Sequence, residues 1–342
     1  MTSDTTRADS VSDDRRDSLV IAVAQPAQGS ARTIEHLAIV CDKILASAAH
    51  ADIVVFPEYV LGYSLHPDAG GFHGSLPTDI STMVSYGGEY YRIFSQLSFR
   101  YGKFILAGTH IIRDRGRLYN AAHLFGPDGS CFIHAKTHIT PEEMAWGMTE
   151  GQILEPFTID GVRVGVMICY EAEIPEVATI LARKGADILI CPSWSSTTAG
   201  YWRIRNCCAA RCIENLVYAV HCPAAVSIRD ARLPPPAAIL SPCDPGFPSD
   251  GVLAEVTDHR TTVIEASLDL QLLYRNRRGG ATTFLDRPRH AGLYRDHAAQ
   301  LFASTVYEGA ADGAAAPASV RVLPANAGSN ARDCSRAYEE SG

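Results

Sequence analysis

Short uninterrupted apolar runs, each followed by a stretch with helical hydrophobic spacing, recur from Leu19 to about Leu301. Runs of that kind are strands buried on both faces, so helices must cover the sheet on either side and the fold is α/β. Leu19–Gln25 is the first such strand. Ser30 is placed to cap a helix whose apolar positions Ile34, Leu37, Ala38, Cys41, Ile44, Leu45 and Ala48 share a face. Asp52–Phe56 is a second strand, and Leu61–Gly88 reads as a long loop of the sort that walls an active site. A helix at Glu89–Arg100 precedes a strand at Lys103–Gly108. Tyr119–Phe125 and Cys131–Ala135, joined by Gly126-Pro127-Asp128-Gly129, form a hairpin. Strands at Val162–Ile168, Asp187–Cys191 and Val217–His221 alternate with helices at Glu173–Lys184 and about Tyr201–Asn215. Ala237–Leu240, Val252–Val256 and Thr262–Ala266 complete the strand series. Hairpins beside β-α-β units make the sheets mixed rather than wholly parallel.

No linker-like segment interrupts this pattern, which makes residues 18–302 one domain. Residues 1–17, rich in Ser, Thr, Asp and Arg, read as a disordered tail that is neither secretory signal nor anchor, and 303–342 as a low-complexity tail. A formal charge of −8 with no basic run excludes the concentrated positive face that nucleic acid or an anionic membrane requires. No apolar segment reaches membrane-spanning length. Ten cysteines fall largely inside apolar strand and helix patterns and include no Cys-x-x-Cys pair. Buried thiols in a large chain point to a reducing cytoplasm, with no disulfide framework and no zinc site. Cys207, Cys208 and Cys212 belong to one helix.

Three of the apolar runs end in reactive groups: Glu58 after Ile53-Val54-Val55-Phe56-Pro57, Lys136 after Phe132-Ile133-His134-Ala135, and Cys169 after Val164-Gly165-Val166-Met167-Ile168. Ligands of α/β sheets bind at the carboxyl ends of strands. A thiol with a carboxylate and an ammonium beside it has what covalent acyl transfer needs: nucleophile, proton carrier and oxyanion holder. Taken singly, each has a plainer role. Cys169 alone is a small buried residue, Glu58 a helix cap, Lys136 a solvated charge. Their order along the chain is what joins them.

In that order the segments Phe56-Pro57-Glu58, Lys136-Thr137-His138-Ile139-Thr140-Pro141-Glu142-Glu143 and Gly165-Val166-Met167-Ile168-Cys169-Tyr170-Glu171 resemble the nitrilase superfamily of carbon–nitrogen hydrolases over residues 18 to 300. Cys191-Pro192-Ser193-Trp194 and Arg211-Cys212-Ile213-Glu214-Asn215 support the likeness. The resemblance implies a four-layer α-β-β-α sandwich, usually paired into a homodimer or higher homo-oligomer. It implies Glu58 as general base, Lys136 with the Tyr170 N–H as oxyanion holder, and Cys169 as the nucleophile that forms a thioester, with no metal or cofactor. A second glutamate that positions substrate or lysine matches Glu143 best, with Glu142 adjacent.

Because Cys169-Tyr170-Glu171 has Tyr where nitrile-hydrolysing members commonly carry Trp, the resemblance favours an amidase acting on a small amide, with a nitrilase or an N-carbamoyl amidase as alternatives. An acyltransferase, in which an amine intercepts the thioester, and a non-catalytic scaffold are readings of another kind. Trp194 and Tyr201, with Trp202 beside it, are candidates to line the substrate pocket, as is Tyr170. Arg203, Arg205 or Arg229 are candidate partners for a substrate carboxylate. His138 is expected to order the loop beside Lys136, and Glu171 and Glu176 to be helix-start charges, with Glu173 or Glu176 able to brace the site.

Overall fold

A computed structural model describes residues 16–67, 71, 76–225, 235–257, 263–279 and 283–298. In chain order these form β1 (Ser18–Ala24), α1 (Ile34–Ser47), β2 (Ile53–Val55), α2 (Val60–Ser64), α3 (Leu76–Ser85), α4 (Gly87–Tyr101), β3 (Phe104–Asp114), β4 (Arg117–Phe125), β5 (Cys131–Ala135) and α5 (Pro141–Ala145). There follow β6 (Phe157–Ile159), β7 (Val162–Val166), a 3-10 turn at Cys169–Glu173, α6 (Pro175–Arg183), β8 (Ile188–Ser193), α7 (Thr198–Asn215), β9 (Tyr218–Pro223), β10 (Ala238–Leu240), β11 (Val252–Glu255), β12 (Val263–Asp269), α8 (Leu270–Gly279), α9 (Thr283–Arg289) and α10 (Ala291–Asp296).

The strands make two six-stranded mixed sheets, ordered β12-β1-β2-β3-β4-β5 and β11-β10-β9-β8-β7-β6. Period-two alternation sends Leu19, Ile21, Val23, Ile53, Val55, Leu106 and Leu124 inward against the second sheet. It sends Ala22, Ala24, Val54, Phe56, Ile105 and Phe125 outward against α1 and α4. On the far side Val177, Ala178 and Leu181 of α6 and Ile204, Cys208 and Cys212 of α7 cover the second sheet. Helix, sheet, sheet and helix are thus stacked as the four-layer sandwich.

Strand direction gathers the reactive ends. β2 runs parallel to β3, β4 is antiparallel to both neighbours, and β5 therefore points the same way as β2. Glu58 and Lys136, one just beyond each strand, leave one rim of the first sheet. In the second sheet β7, β8 and β9 are parallel, so Cys169 and Trp194 leave a common rim.

Several local expectations are corrected. Thr33, not Ser30, caps α1: its extended backbone lets the side chain accept from the His36 N–H, while Ser30 sits in a turn on the Ala27 carbonyl. Among its described residues, the stretch 61–88 holds most of α2, all of α3 and the start of α4 rather than one loop. All five residues of α2 are buried, so no polar face gave it a helical signature. β6, α2, α3, α5 and the helices after residue 269 lay outside the sequence expectations. Within the N-terminal segment 1–17 only the last two residues are described. Arg16 pairs with Asp52 and Asp160, and the Asp17 carbonyl accepts from the Leu270 N–H. The segment 303–342 and Arg229 lie outside the described residues. No helix among those described is long and apolar enough to cross a membrane.

Candidate active site

Cys169 opens a 3-10 turn with φ +50°, in the left-handed region that costs a non-glycine residue strain. The sharp reversal leaves the thiol at the sheet rim, 5% exposed, its Sγ donating to the Trp194 carbonyl at 3.4 Å. Tyr59, directly after Glu58, is also left-handed at φ +52°. Its N–H is held by Thr109 Oγ1 at 2.9 Å. Gly108 explains how β3 can pass so close: at φ +62° a Cβ there would meet the Pro57 carbonyl oxygen at 1.9 Å. It lies where the β3–β4 register shifts, between Leu106 and Thr109.

Around the thiol lies a fully buried charge cluster. Lys136 Nζ donates to Glu58 Oε1 at 2.9 Å and to Glu143 Oε2 at 2.8 Å. Glu143 is turned inward by α5, which Thr140 and Glu143 begin with a reciprocal capping box behind Pro141. Its Oε1 accepts from Tyr59 at 2.6 Å and from Asn120 Nδ2 at 2.7 Å. Glu58 accepts from Asn120 Nδ2 at 2.8 Å and, on Oε2, from the Trp194 N–H at 2.8 Å. Lys136 has three N–H bonds and spends two on the glutamates, which leaves one for a ligand.

Proton affinities diverge within this cluster. Burial pushes the Glu58 carboxyl up, with the Glu143 charge adding to it and Lys136 opposing. Burial also works against ionising Glu143, yet the Lys136 charge and hydrogen bonds from Lys136, Tyr59 and the Thr140 N–H outweigh it and hold that carboxyl low. The Cys169 thiol is pushed well up by burial and by Glu58, with Lys136 opposing. For Lys136 burial favours the neutral amine, but the charges of Glu58, Glu143 and Cys169 override it and keep the ammonium. The arrangement is a protonated thiol beside a carboxylate whose basicity is raised, with a cation fixed between two acids.

On the other side of the turn, Glu171 is buried and saturated rather than a solvated helix-start charge. It accepts from Thr137 N at 2.8 Å, Thr137 Oγ1 at 2.5 Å, Ile168 N at 2.6 Å and His134 Nε2 at 2.9 Å. Those bonds tie the chain after Lys136 to the residue before Cys169. Burial opposes its charge, but His134 and the Thr137 donors prevail and hold its carboxyl below the usual range. His138 contacts Thr137 Oγ1 at 2.9 Å.

Glu58, Lys136, Glu143 and Cys169 are therefore brought together. Glu142 is exposed on the outer face of α5, and Tyr170 is half-buried at the turn. Trp194 is half-buried, its ring 5.9 Å from that of Tyr59, which also packs 6.2 Å from Trp146. Tyr201 is buried, with its hydroxyl on the Pro236 carbonyl at 3.0 Å and its ring stacked on His221. Arg203 and Arg205 are engaged by Glu173 and Glu255. Tyr59, Asn120 and Glu171 were missed as site residues. An Asn inside the apolar run Tyr119-Asn120-Ala121-Ala122, where strands disfavour it, was the available signal for one of them.

The family profile described as carbon-nitrogen hydrolase matches residues 20–233. The sequence is similar to "Probable hydrolase YhcX" of Bacillus subtilis (strain 168), 33% identical over 256 residues, covering 72% of this chain and 48% of that protein. It is similar to "Omega-amidase NIT2" of Danio rerio, 29% identical over 184 residues, covering 51% of this chain and 62% of that one. The chain thus spans about half the length of the first relative and under two thirds of the second. In fold it is similar to the crystal structure of a carbon-nitrogen hydrolase from Helicobacter pylori, with a TM-score of 0.65 at 22% identity, covering 82% of this chain and 98% of that chain.

Proposed function

This chain belongs to the carbon–nitrogen hydrolase family, and we propose that it hydrolyses a small non-peptide amide through a Cys169 thioester. Glu58 takes the thiol proton as Sγ attacks the amide carbon, and the carbonyl oxygen becomes an oxyanion. The remaining N–H of Lys136 receives that charge, together with the Tyr170 N–H, which precedes the turn's first hydrogen bond, from Glu171 N to Ile168 O. Glu58 returns the proton to the departing nitrogen, the C–N bond breaks, and ammonia or an amine leaves. Glu58 then deprotonates water, which attacks the thioester; the C–S bond breaks, Glu58 returns the proton to sulfur, and the acid leaves and ionises in solvent. Glu143 holds Lys136 in place and keeps it charged.

The observation that carries this function is the Lys136 ammonium bonded to two buried glutamates beside a buried thiol at a strained turn. Amide rather than nitrile hydrolysis is favoured by Tyr170 after the nucleophile and by relatives named as amidases. We place the hydrolase domain at residues 18–302. We also propose a cytoplasmic enzyme, since the nine described cysteines are free thiols, working as a homodimer. Ammonia release from a panel of small amides, carbamoyl compounds and nitriles, with mass spectrometry of the peptide carrying Cys169, tests it. Turnover of amides with a transient acyl adduct is expected. Full activity in Cys169→Ala would refute the thioester route, and nitrile turnover without amide turnover would refute the substrate class.

A further inference from the structure

Asn120 lies within β4 with its side chain fully buried among the charged groups. One amide nitrogen, Nδ2, donates to Oε1 of Glu58 and to Oε1 of Glu143 at 2.8 and 2.7 Å. Its backbone carbonyl accepts the Lys136 N–H at 2.8 Å, so a single residue touches all three charged members of the cluster. The amide cannot be turned over: Oδ1 would then face two carboxylate oxygens with no proton between them. In the orientation found, Oδ1 has no hydrogen-bond partner among the described residues. A buried acceptor without a partner is costly, and natural interiors tolerate few of them. An apolar residue would avoid that cost and suit a strand better, so the asparagine stands there against both local preferences.

We propose that Asn120 is a positioning residue that divides the two glutamates between their jobs. By occupying Oε1 of each with the two hydrogens of one amide, it leaves Oε2 of Glu58, held by the Trp194 N–H, to accept the thiol proton, and Oε2 of Glu143 to hold Lys136. This rests on Glu58 acting as the base. The groups facing Glu58 are Lys136 from the end of β5, Glu143 from α5 and Cys169 from the turn. Tyr59 and Cys191 also feel its charge. Among these, Asn120 is a neutral donor shared by both carboxylates, and it lets two acids share a dry site with one cation. Without it Glu58 would keep its proton to higher pH, because a hydrogen bond to the ionised form would be gone.

The test measures the rate of Cys169 alkylation by chloroacetamide against pH in the full-length protein, read on the peptide carrying Cys169. It needs no amide turnover. In the unaltered protein the rate should fall on the acid side as Glu58 takes up a proton, and that limb should vanish in Glu58→Gln. Asn120→Ala should move the limb upward by about one pH unit and slow alkylation on the acid side of it about tenfold, since one unit is a tenfold change in the ionised fraction. Asn120→Asp, the same size but adding a third carboxylate, should move it further and carries the same expectation should the alanine variant not fold. A limb unmoved by either substitution, with any loss uniform across pH, would overturn the inference. An acid limb that survives in Glu58→Gln would overturn the assignment of Glu58 instead, so the two failures are separable.

Discussion

Two buried acids flank the Cys169 turn and are treated in opposite ways. Glu171 has its oxygens saturated by Thr137, Ile168 and His134, and its carboxyl is held low. Glu58, equally buried, shares its donors with Glu143, and its carboxyl is pushed up. A carboxylate with every lone pair answered is a strut. One crowded by a second acid and left basic can move a proton. Burial alone does not separate them; the count and sharing of donors does.

Removing each carboxylate should expose that difference most. Glu58→Gln is expected to lower kcat/KM at least a thousandfold while leaving the melting temperature at neutral pH unchanged or raised, since a strained buried charge is removed. Steady-state ammonia release and calorimetry on one preparation check both halves. Glu171→Ala is expected to do the reverse first. It strands the Thr137 and Ile168 donors and the His134 ring, at about 3–5 kcal/mol of stability, which chemical unfolding would register. A Glu171 variant with unaltered stability would erase the distinction.

A smaller effect is expected at Gly108→Ala. The added methyl must displace the Pro57 carbonyl, one residue before Glu58, at about 2 kcal/mol of stability. Activity should fall beyond that expected from the loss of folded protein, which kcat measured well below the melting transition would detect.

The smallest effect is in pH dependence, and the two acids should give opposite signs. Glu171 titrates low in the folded state, so its stabilisation is present above its unfolded pKa and lost as pH falls through the folded value. Glu58 titrates high, so its contribution is present at low pH and lost as pH rises through the folded value. The stability difference between the unaltered protein and Glu58→Gln should therefore grow in the variant's favour toward alkaline pH. That between the unaltered protein and Glu171→Gln should shrink toward acid. Buried His110 and His221, pushed down to about 3, and His123, pushed down to about 4 by burial, add a loss of stability common to all variants as pH falls below their unfolded value. Calorimetric scans from pH 2.5 to pH 9 would separate the slopes.

The layered fold was legible because the inward and outward faces of its strands are both apolar, and Val54-Val55-Phe56 or Val164-Gly165-Val166 declare that without tertiary information. Glu58, Lys136 and Cys169 were legible for the complementary reason that each breaks such a run at its carboxyl end. The cap of α1 was misassigned between Ser30 and Thr33 because both side chains can cap and only backbone geometry decides. α2 gave no periodic signal because it is buried all round. Glu171 was read from its position at a helix start, although its partners Thr137 and His134 are more than 30 residues away in sequence. Tyr59 and Gly108 matter only through the register of β2 against β3 and a left-handed backbone, which spacing along one strand does not encode.

The Cys169 sulfur leaves one sheet, whereas the Glu58 carboxylate and the Lys136 ammonium leave the other. A folding intermediate with either half formed would hold a thiol with no neighbouring carboxylate, no more reactive than the chain's other cysteines. On the proposed mechanism, nucleophilicity is a property of the closed sandwich, switched on only when the halves meet, so electrophile labelling of Cys169 during refolding would report the moment of closure.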